Sequence, residues 1–413
     1  MSPTPDLRNA ILNSILVLNS GSSSLKAGLF VRDETANFAG ERAVLVAQAN
    51  GINQGGGTLA IRDDSGRELA STQHALGSQG EALESIAAAF KQHSPESAPY
   101  AIGHRIVHGG PKLQQHVRLT PAVLETLRQS IHFAPLHLPG AIRIVEQAGK
   151  LYPNAQQVAC FDTTFHRTMP PVAKRLPIPE EYAAQGVERY GFHGLSYESL
   201  VGQLRAEPAR LPDRIVCAHL GGGSSLCAVL RGASVDTTMS LTPAGGVPMA
   251  TRTGDIDPGV LFFLGREGRL SVDALETLVN HKSGLAAVSG GSGDMQQLEK
   301  SMTDESGDVQ KRAALAFAIF ATAIAKQIAA LTVTLAGLDL LVFTGGIGEH
   351  SAALRAAVVE RLAPFGLRLD GTANRQHAEN IHSPASKVPV RILAAEEDLV
   401  IAAHTRRLVG LPA

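Results

Sequence analysis

The parts of this 413-residue sequence that could do chemistry are three glycine-rich turns, two isolated arginines, one strand-end aspartate and a run of three acids near the C-terminus. In the first turn Gly21 lets the backbone approach an anion. Ser22, Ser23 and Ser24 offer hydroxyl and N–H donors there, and Lys26 adds a positive charge. Asp162 ends the apolar run QVACFD, a position suited to a metal or a metal-bound water, and Glu396, Glu397 and Asp398 stand at the start of an expected helix. Each part has a plainer role: a hairpin turn with no ligand, a structural cap, or acids answering a helix dipole. Taken together with Arg105 and Arg252, they point to phosphoryl transfer assisted by a divalent metal.

The turns are not independent. Ile15 to Phe30 reads apolar strand, Gly/Ser turn, apolar return, and Arg214 to Leu230 repeats it, with Gly222-Gly223-Ser224-Ser225-Leu226 matching Gly21-Ser22-Ser23-Ser24-Leu25. An internal duplication into two α/β halves, each presenting a hairpin loop to a shared cleft, follows. The third turn, FTGGIGEH, comes after a long helical stretch and an apolar strand, where strand-end loops line ligand crevices. No glycine precedes Lys26 as a Walker A loop requires, and no G-x-G-x-x-G joins a strand to a helix, which argues against P-loop and Rossmann architectures.

The elements that must position these residues are legible in outline. Length predicts two or three domains. Tyr100 to Gly110 is an expected strand, placing Arg105 and Val107 on one face and His104, Ile106 and His108 on the other. Helices are expected over Glu81 to His93, Pro121 to Ile131 with Thr120 as cap, and Ala141 to Leu151, with His137 presented by the loop Phe133 to Gly140. The proline-rich run Pro170 to Pro179 reads as a rigid domain connection, and Ser196 as the cap of the next helix. The domains are placed at 11–168, completed by 394–413, and at 169–393, after a loose tail over the first ten residues. Asp236 to Gly259 is a long irregular segment carrying Arg252, of the kind that is usually functional. Arg312 to Ala336, broken by Lys326 and Gln327, reads as a buried helix rather than a membrane span. His104 and His108 lack a third ligand and read as structural rather than as a zinc pair.

Lys plus Arg 37 against Asp plus Glu 38 leaves a net charge of −1, so no global field draws the chain to nucleic acid or an acidic membrane. The three cysteines, each inside an apolar run, read as buried free thiols in a reducing compartment. The N-terminal stretch lacks the pattern of a signal peptide, and a cytoplasmic location is expected.

The segments ILVLNSGSSSLK, GHRIVHGG, APLH, FDTTFH, YGFHG, HLGGGSS, LTP, TRTGDIDPG, FTGGIGE and EEDLVIA, spread in that order over nearly the whole chain, resemble the acetate kinase family. The resemblance implies the duplicated actin-like, ribonuclease H-like fold shared with sugar kinases and heat-shock chaperones, a central interdomain cleft holding ATP or ADP, and a homodimer. It also implies reversible transfer of the terminal phosphoryl group of ATP to acetate or propionate with magnesium or manganese. Residue by residue, it implies that Asn19, Ser22, Ser24 and Lys26 form the first phosphate loop, that Arg105, Arg252 and His193 serve the transition state, and that His137 supports them. Asn19, Asp162 and Glu397 match the metal site, and Val107, Leu136, Phe192 and Pro243, with Arg105, the acid pocket. His219, Gly221, Gly222, Gly223, Asp294, Gln296, Gly346, Gly348 and His350 match the nucleotide segments.

Four positions depart from the family pattern. Gly222 and His350 stand where an Asn is usual, Gln296 where an Arg is, and Leu138 where an Asn follows the histidine. Three of these fall on the nucleotide side, so an altered phosphoryl donor stays open. So does a sugar or glycerol kinase of the same superfamily, which would need an aspartate base. A chaperone-like scaffold would have no use for two arginines beside an apolar pocket.

Overall fold

The computed structural model describes residues 13–21, 23–94 and 98–412, the His74 side chain excepted. The tail expected over the first ten residues and Ser22 of the first loop lie outside them. Two compact units emerge. The first takes the chain to Thr164, then Gly194–Pro208 and the residues from Glu396 onward; the second takes Phe165–His193 and Ala209–Ala395.

The first unit is built on β1 (Ile15–Ser20), β2 (Ser24–Arg32), β3 (Glu41–Asn50), β4 (Gly57–Asp63), β5 (Glu68–His74), β6 (Ala101–Ile106), β7 (Val117–Arg118) and β8 (Gln156–Phe161). They form one sheet in the order β5-β4-β3-β2-β1-β6-β8-β7. The strand β1 is apolar without alternation because both its faces are covered. Leu16 and Leu18 pack with Ala82, Leu83 and Ile86 of the helix Gln79–His93, whereas Ile15 and Val17 pack with Val400 and Ile401 of the helix Glu397–Leu408.

In the second unit β9 (Arg214–Leu220), β10 (Ser224–Leu230), β11 (Ala233–Thr237), β12 (Leu340–Thr344) and β13 (Val390–Ile392) follow the order β11-β10-β9-β12-β13. Both sheets set their first three strands side by side in the order third, second, first: β3-β2-β1 in one and β11-β10-β9 in the other. Each first strand pairs antiparallel with its hairpin partner and, on its other edge, parallel with a later strand, β6 beside β1 and β12 beside β9. The duplication suggested by the two Gly/Ser hairpins therefore extends to the strands on either side of them, and the fold is α/β with two sheets, of eight and five strands.

Several expectations need correction. The chain changes units at Thr164 and Phe165, inside the turn after β8. The proline run thus lies within the second unit, and Gly194–Pro208 returns to the first. The helix over that return starts at Gly194, with Ser196 buried inside it rather than capping it. The third glycine turn is not a loop: Gly345–His350 is a short helix entered directly from β12. Gly345 has φ +77°, and a Cβ there would meet Leu220 O at 2.7 Å, so only glycine makes that entry. The apolar helix runs Gly307–Thr334 and is long and apolar enough to cross a membrane by length and composition. It packs Phe317, Phe320, Ile324, Ile328 and Leu331 into the core of the second unit, as a buried helix does.

Candidate active site

In the first unit, β6 and β8 run parallel, with Arg105 level with Cys160. The turn after β8 brings Asp162 back to Arg105, whose Nε and Nη2 donate to the two Asp162 oxygens at 3.0 and 2.6 Å. Arg105 Nη1 donates to Asn19 Oδ1 at 3.2 Å, and Asn19 Nδ2 to Glu397 Oε2 at 3.3 Å. Glu397 Oε2 lies 4.0 Å from Arg105 Nε. Of the two candidate glutamates, Glu397 therefore joins the cluster, while Glu396 is exposed and donates its N–H to Ser199.

Burial opposes the charge of Arg105, yet Asp162 and Glu397 hold its pKa above the usual value. Burial likewise pushes Glu397 up, against the pull of Arg105 and with the help of Asp162. Asp398 is also raised, first by burial, and its buried Oδ1 has no hydrogen-bond partner among the described residues. Three crowded carboxylates, one of them with an orphaned oxygen, fit a divalent cation held by Asp162, Glu397 and Asn19. Arg105 and Val107 share a groove of about 770 Å³ with Leu136 and His137. His137 sits at the N-terminus of the helix Leu138–Leu151. Lys26 is exposed on β2 and adds positive charge near Glu397 and Asp398, and Ser24 starts that strand.

His104 and His108 are buried, as structural residues are. His104 bonds Gln157 at 2.7 Å and burial holds it down at about 4, while His108 Nδ1 accepts from Gly110 N.

In the second unit the Gly221–Gly223 turn links β9 to β10, and Ser224 Oγ closes it by bonding both N and O of Gly221. A Cβ on Gly223 would stand 3.5 Å from His193 Nε2 and 3.7 Å from Arg252 Nη1, so the bare turn brings both groups to one spot. His193 stacks on His219 with centroids 4.2 Å apart, and its Nδ1 is 2.9 Å from Ser225 Oγ. It adopts φ +57°, a conformation that costs a non-glycine residue free energy and clusters at functional sites. Arg252 Nη1 donates to Pro243 O at 3.1 Å and lies 3.8 Å from Met249 Sδ. No carboxylate pairs with it among the described residues, and burial lowers its pKa. Phe192 is buried. Elsewhere in this unit Asp294 caps the helix Met295–Asp304 through Gln297 N, and Gln296 is exposed on it. In Gly345–His350, Gly346 and His350 are exposed and Gly348 is buried.

The structure thus groups Arg105, Asp162, Asn19, Glu397, Val107, Leu136 and His137 in one unit, and His193, His219, Gly223, Arg252, Pro243 and Phe192 in the other. Two contributors were not singled out from the sequence. His166, buried in the FDTTFH segment, bonds Phe192 O at 2.9 Å and Ser234 Oγ at 2.8 Å, and so supports the loop that presents His193. Arg355 is completely buried and donates to Gly348 O and Glu349 O, fixing the end of the short glycine helix. The histidine that ends FDTTFH was the available signal for the first; an arginine in an ordinary helix offered none for the second.

Residues 14–403 match the acetokinase family. Acetate kinase of Deinococcus deserti is 40% identical over 406 residues, covering 96% of this chain and 98% of that protein. Acetate kinase of Rhodopseudomonas palustris is 38% identical over 398 residues, covering 95% and 98%. Among solved structures, a propionate kinase from Francisella tularensis matches with TM-score 0.87 and 32% identity, covering 96% of this chain and all of that one. Porphyromonas gingivalis acetate kinase matches with TM-score 0.83 and 32% identity over the same shares. Agreement across full-length sequences and across the fold leads to one conclusion: the chain belongs to the acetokinase family.

Proposed function

We infer that the chain is a carboxylate phosphotransferase of acetate kinase type, which moves the terminal phosphoryl group of ATP reversibly to acetate or propionate by direct in-line transfer. The observation that carries this reading is the state of Asp162. Both its oxygens accept from Arg105, so the acid beside the groove is a partner of a cation rather than a free base. A sugar kinase needs that base to deprotonate a hydroxyl, whereas a carboxylate is already an anionic nucleophile at neutral pH.

The chemical demand on a carboxylate kinase is to bring two anions together. Arg105 answers the acid's charge beside the apolar surface of Val107 and Leu136. Arg252 and His193, set against the Gly221–Gly223 turn, donate to phosphoryl oxygens as charge spreads in the transition state. Asp162, Glu397 and Asn19 would hold magnesium or manganese, which when bound would neutralise charge on the phosphate oxygens. A coupled assay over a panel of acids and alcohols with ATP tests the reading. Turnover with acetate or propionate is expected, and turnover confined to a sugar or glycerol would overturn it.

The phosphoryl donor is a separate question, and the structure makes it testable. Gly222 has nothing within 4 Å of where a Cβ would be, and Gln296 is exposed, so Gly222→Asn and Gln296→Arg introduce their groups without clashes. Loss of an amide and a guanidinium removes donors for a base, ribose or phosphate. KM for ATP should therefore fall several-fold in these two variants, with KM for the acid unchanged. An ordinary preference for ATP over GTP and pyrophosphate, unmoved by both substitutions, would show that neighbours compensate.

The homodimer finds support in an apolar surface of the second unit. The helices Pro258–Arg266 and Val272–His281 bury no residue, and Phe262, Phe263 and Val272 are 62%, 63% and 80% exposed. Such a patch marks an association surface. Light scattering should give twice the chain mass for the native protein and the single-chain mass for the Phe262→Glu, Phe263→Glu double variant. A monomeric native protein would refute the assignment. A cytoplasmic setting accords with three buried free thiols.

A further inference from the structure

A second cluster of titratable side chains, none of which lines that groove, lies in the first unit. It comprises His116, Glu198 and His404, whose ring nitrogens and carboxylate oxygens lie within 4.8 Å of one another. His404 Nε2 is 2.7 Å from Glu198 Oε1, and His116 Nε2 is 3.8 Å from Glu198 Oε2, with the two ring centroids 4.2 Å apart. Two histidines and a carboxylate are also a zinc donor set. Their other ring nitrogens decide against that use. Phe161 N–H donates to His116 Nδ1 at 3.0 Å, and a guanidinium N–H of Arg407 donates to His404 Nδ1 at 2.7 Å. A neutral imidazole that accepts at Nδ1 carries its hydrogen on Nε2, so both rings turn an N–H, not a lone pair, toward Glu198. Burial alone would raise the Glu198 carboxyl, yet the two histidines hold it down at about 2, while burial keeps His116 below its ordinary value.

Each element that meets in this cluster leads into, bonds or carries part of the proposed metal site. Phe161, bonded by His116, ends β8 and directly precedes Asp162. Glu198 sits in the helix Gly194–Ala206, whose first N–H donates to Asp162 O at 2.9 Å. His404 sits in the helix Glu397–Leu408, about two turns after Glu397. We propose that His116, Glu198 and His404 are positioning residues that set the spacing between Asp162 and Glu397, and through it the geometry offered to the divalent cation. This rests on the metal reading of Asp162 and Glu397 given above. Half-buried Glu198 acts as the hub: it bonds one imidazole N–H and faces the other, joining two helices to the strand end.

The test combines ¹⁵N NMR of the imidazoles with Mn²⁺ titration of the full chain, followed by the EPR signal of the ion. Both His116 and His404 should show the Nε2–H tautomer at neutral pH. His116→Leu, which removes the acceptor for Phe161 N–H, should weaken Mn²⁺ binding and lower kcat by about 10–100-fold, leaving KM for the acid near its native value. His116→Asn, whose Oδ1 takes the place of Nδ1, should restore both. An Nδ1–H tautomer in either ring, or native Mn²⁺ affinity in a folded His116→Leu protein, would overturn the proposal. If His116→Leu does not fold, Glu198→Gln, which keeps His116 in place, carries the same expectation and the same overturning result. Asp162→Asn separates the two levels of inference. Native Mn²⁺ binding in that variant overturns the metal reading itself, whereas its loss alongside native binding in His116→Leu overturns only the positioning role.

Discussion

Arg252→Ala should lower kcat by about 10³-fold or more while leaving the fold intact, the scale expected when a cation serving only the transition state of phosphoryl transfer is removed. Among the described residues its guanidinium pairs with no carboxylate; it donates to Pro243 O and rests against Met249 Sδ. Alanine therefore removes the charge proposed to act on the phosphoryl group and strands no counter-ion. Arg105→Ala should be as inactive but should also lose stability. Its partner Asp162 is only 1% exposed, and a buried carboxylate left without its cation costs about 3–5 kcal/mol. The two arginines, alike in the sequence, thus predict different pairs of readouts, kcat together with Tm. Near-native turnover in Arg252→Ala with a short-chain acid would sink its assignment, and an equal drop in Tm for both variants would contradict the difference in pairing.

Excess chelator should abolish turnover, and Asp162→Asn should do nearly as much. The amide keeps the size of the carboxylate but gives up its charge and sets an N–H₂ against the Arg105 guanidinium, whose two N–H groups now meet two oxygens at 3.0 and 2.6 Å. A metal held by hard oxygen ligands loses affinity when one of the charged ones is neutralised. The expected result is a fall in kcat/KM of at least about 10²-fold at fixed metal, partly recovered at high Mg²⁺ or Mn²⁺. Glu397→Gln should show a smaller effect, since Glu397 meets Arg105 only at 4.0 Å and shares its charge with Asn19 and Lys26. Full activity in chelator, or an Asp162→Asn protein with unchanged metal dependence, would exclude the metal role.

The amino-acid sequence by itself determined the local devices: the two Gly/Ser hairpins, whose bare turns and apolar flanks need no distant partner to form, and the Thr120 cap of the helix Pro121–Gln129. It also determined the family, because ten short motifs keep their order along the chain. What only the tertiary structure decided are the pairings across long separations. Asn19 meets Glu397, 378 residues away, because the last helix docks on the face of β1 that carries Ile15 and Val17. By the same docking an acid that could have served a helix dipole alone enters the Arg105 cluster. Asp162 meets Arg105 because β6 and β8 are parallel neighbours and the turn after β8 folds back. Sheet order was equally out of reach: the chain leaves the first unit at Thr164 and returns at Gly194 because helix and strand surfaces far apart in sequence bury each other there, while the rigid proline run passes inside the second unit. Turn chemistry acts over a few residues and is written in them; docking depends on surfaces that exist only once the sheets have formed.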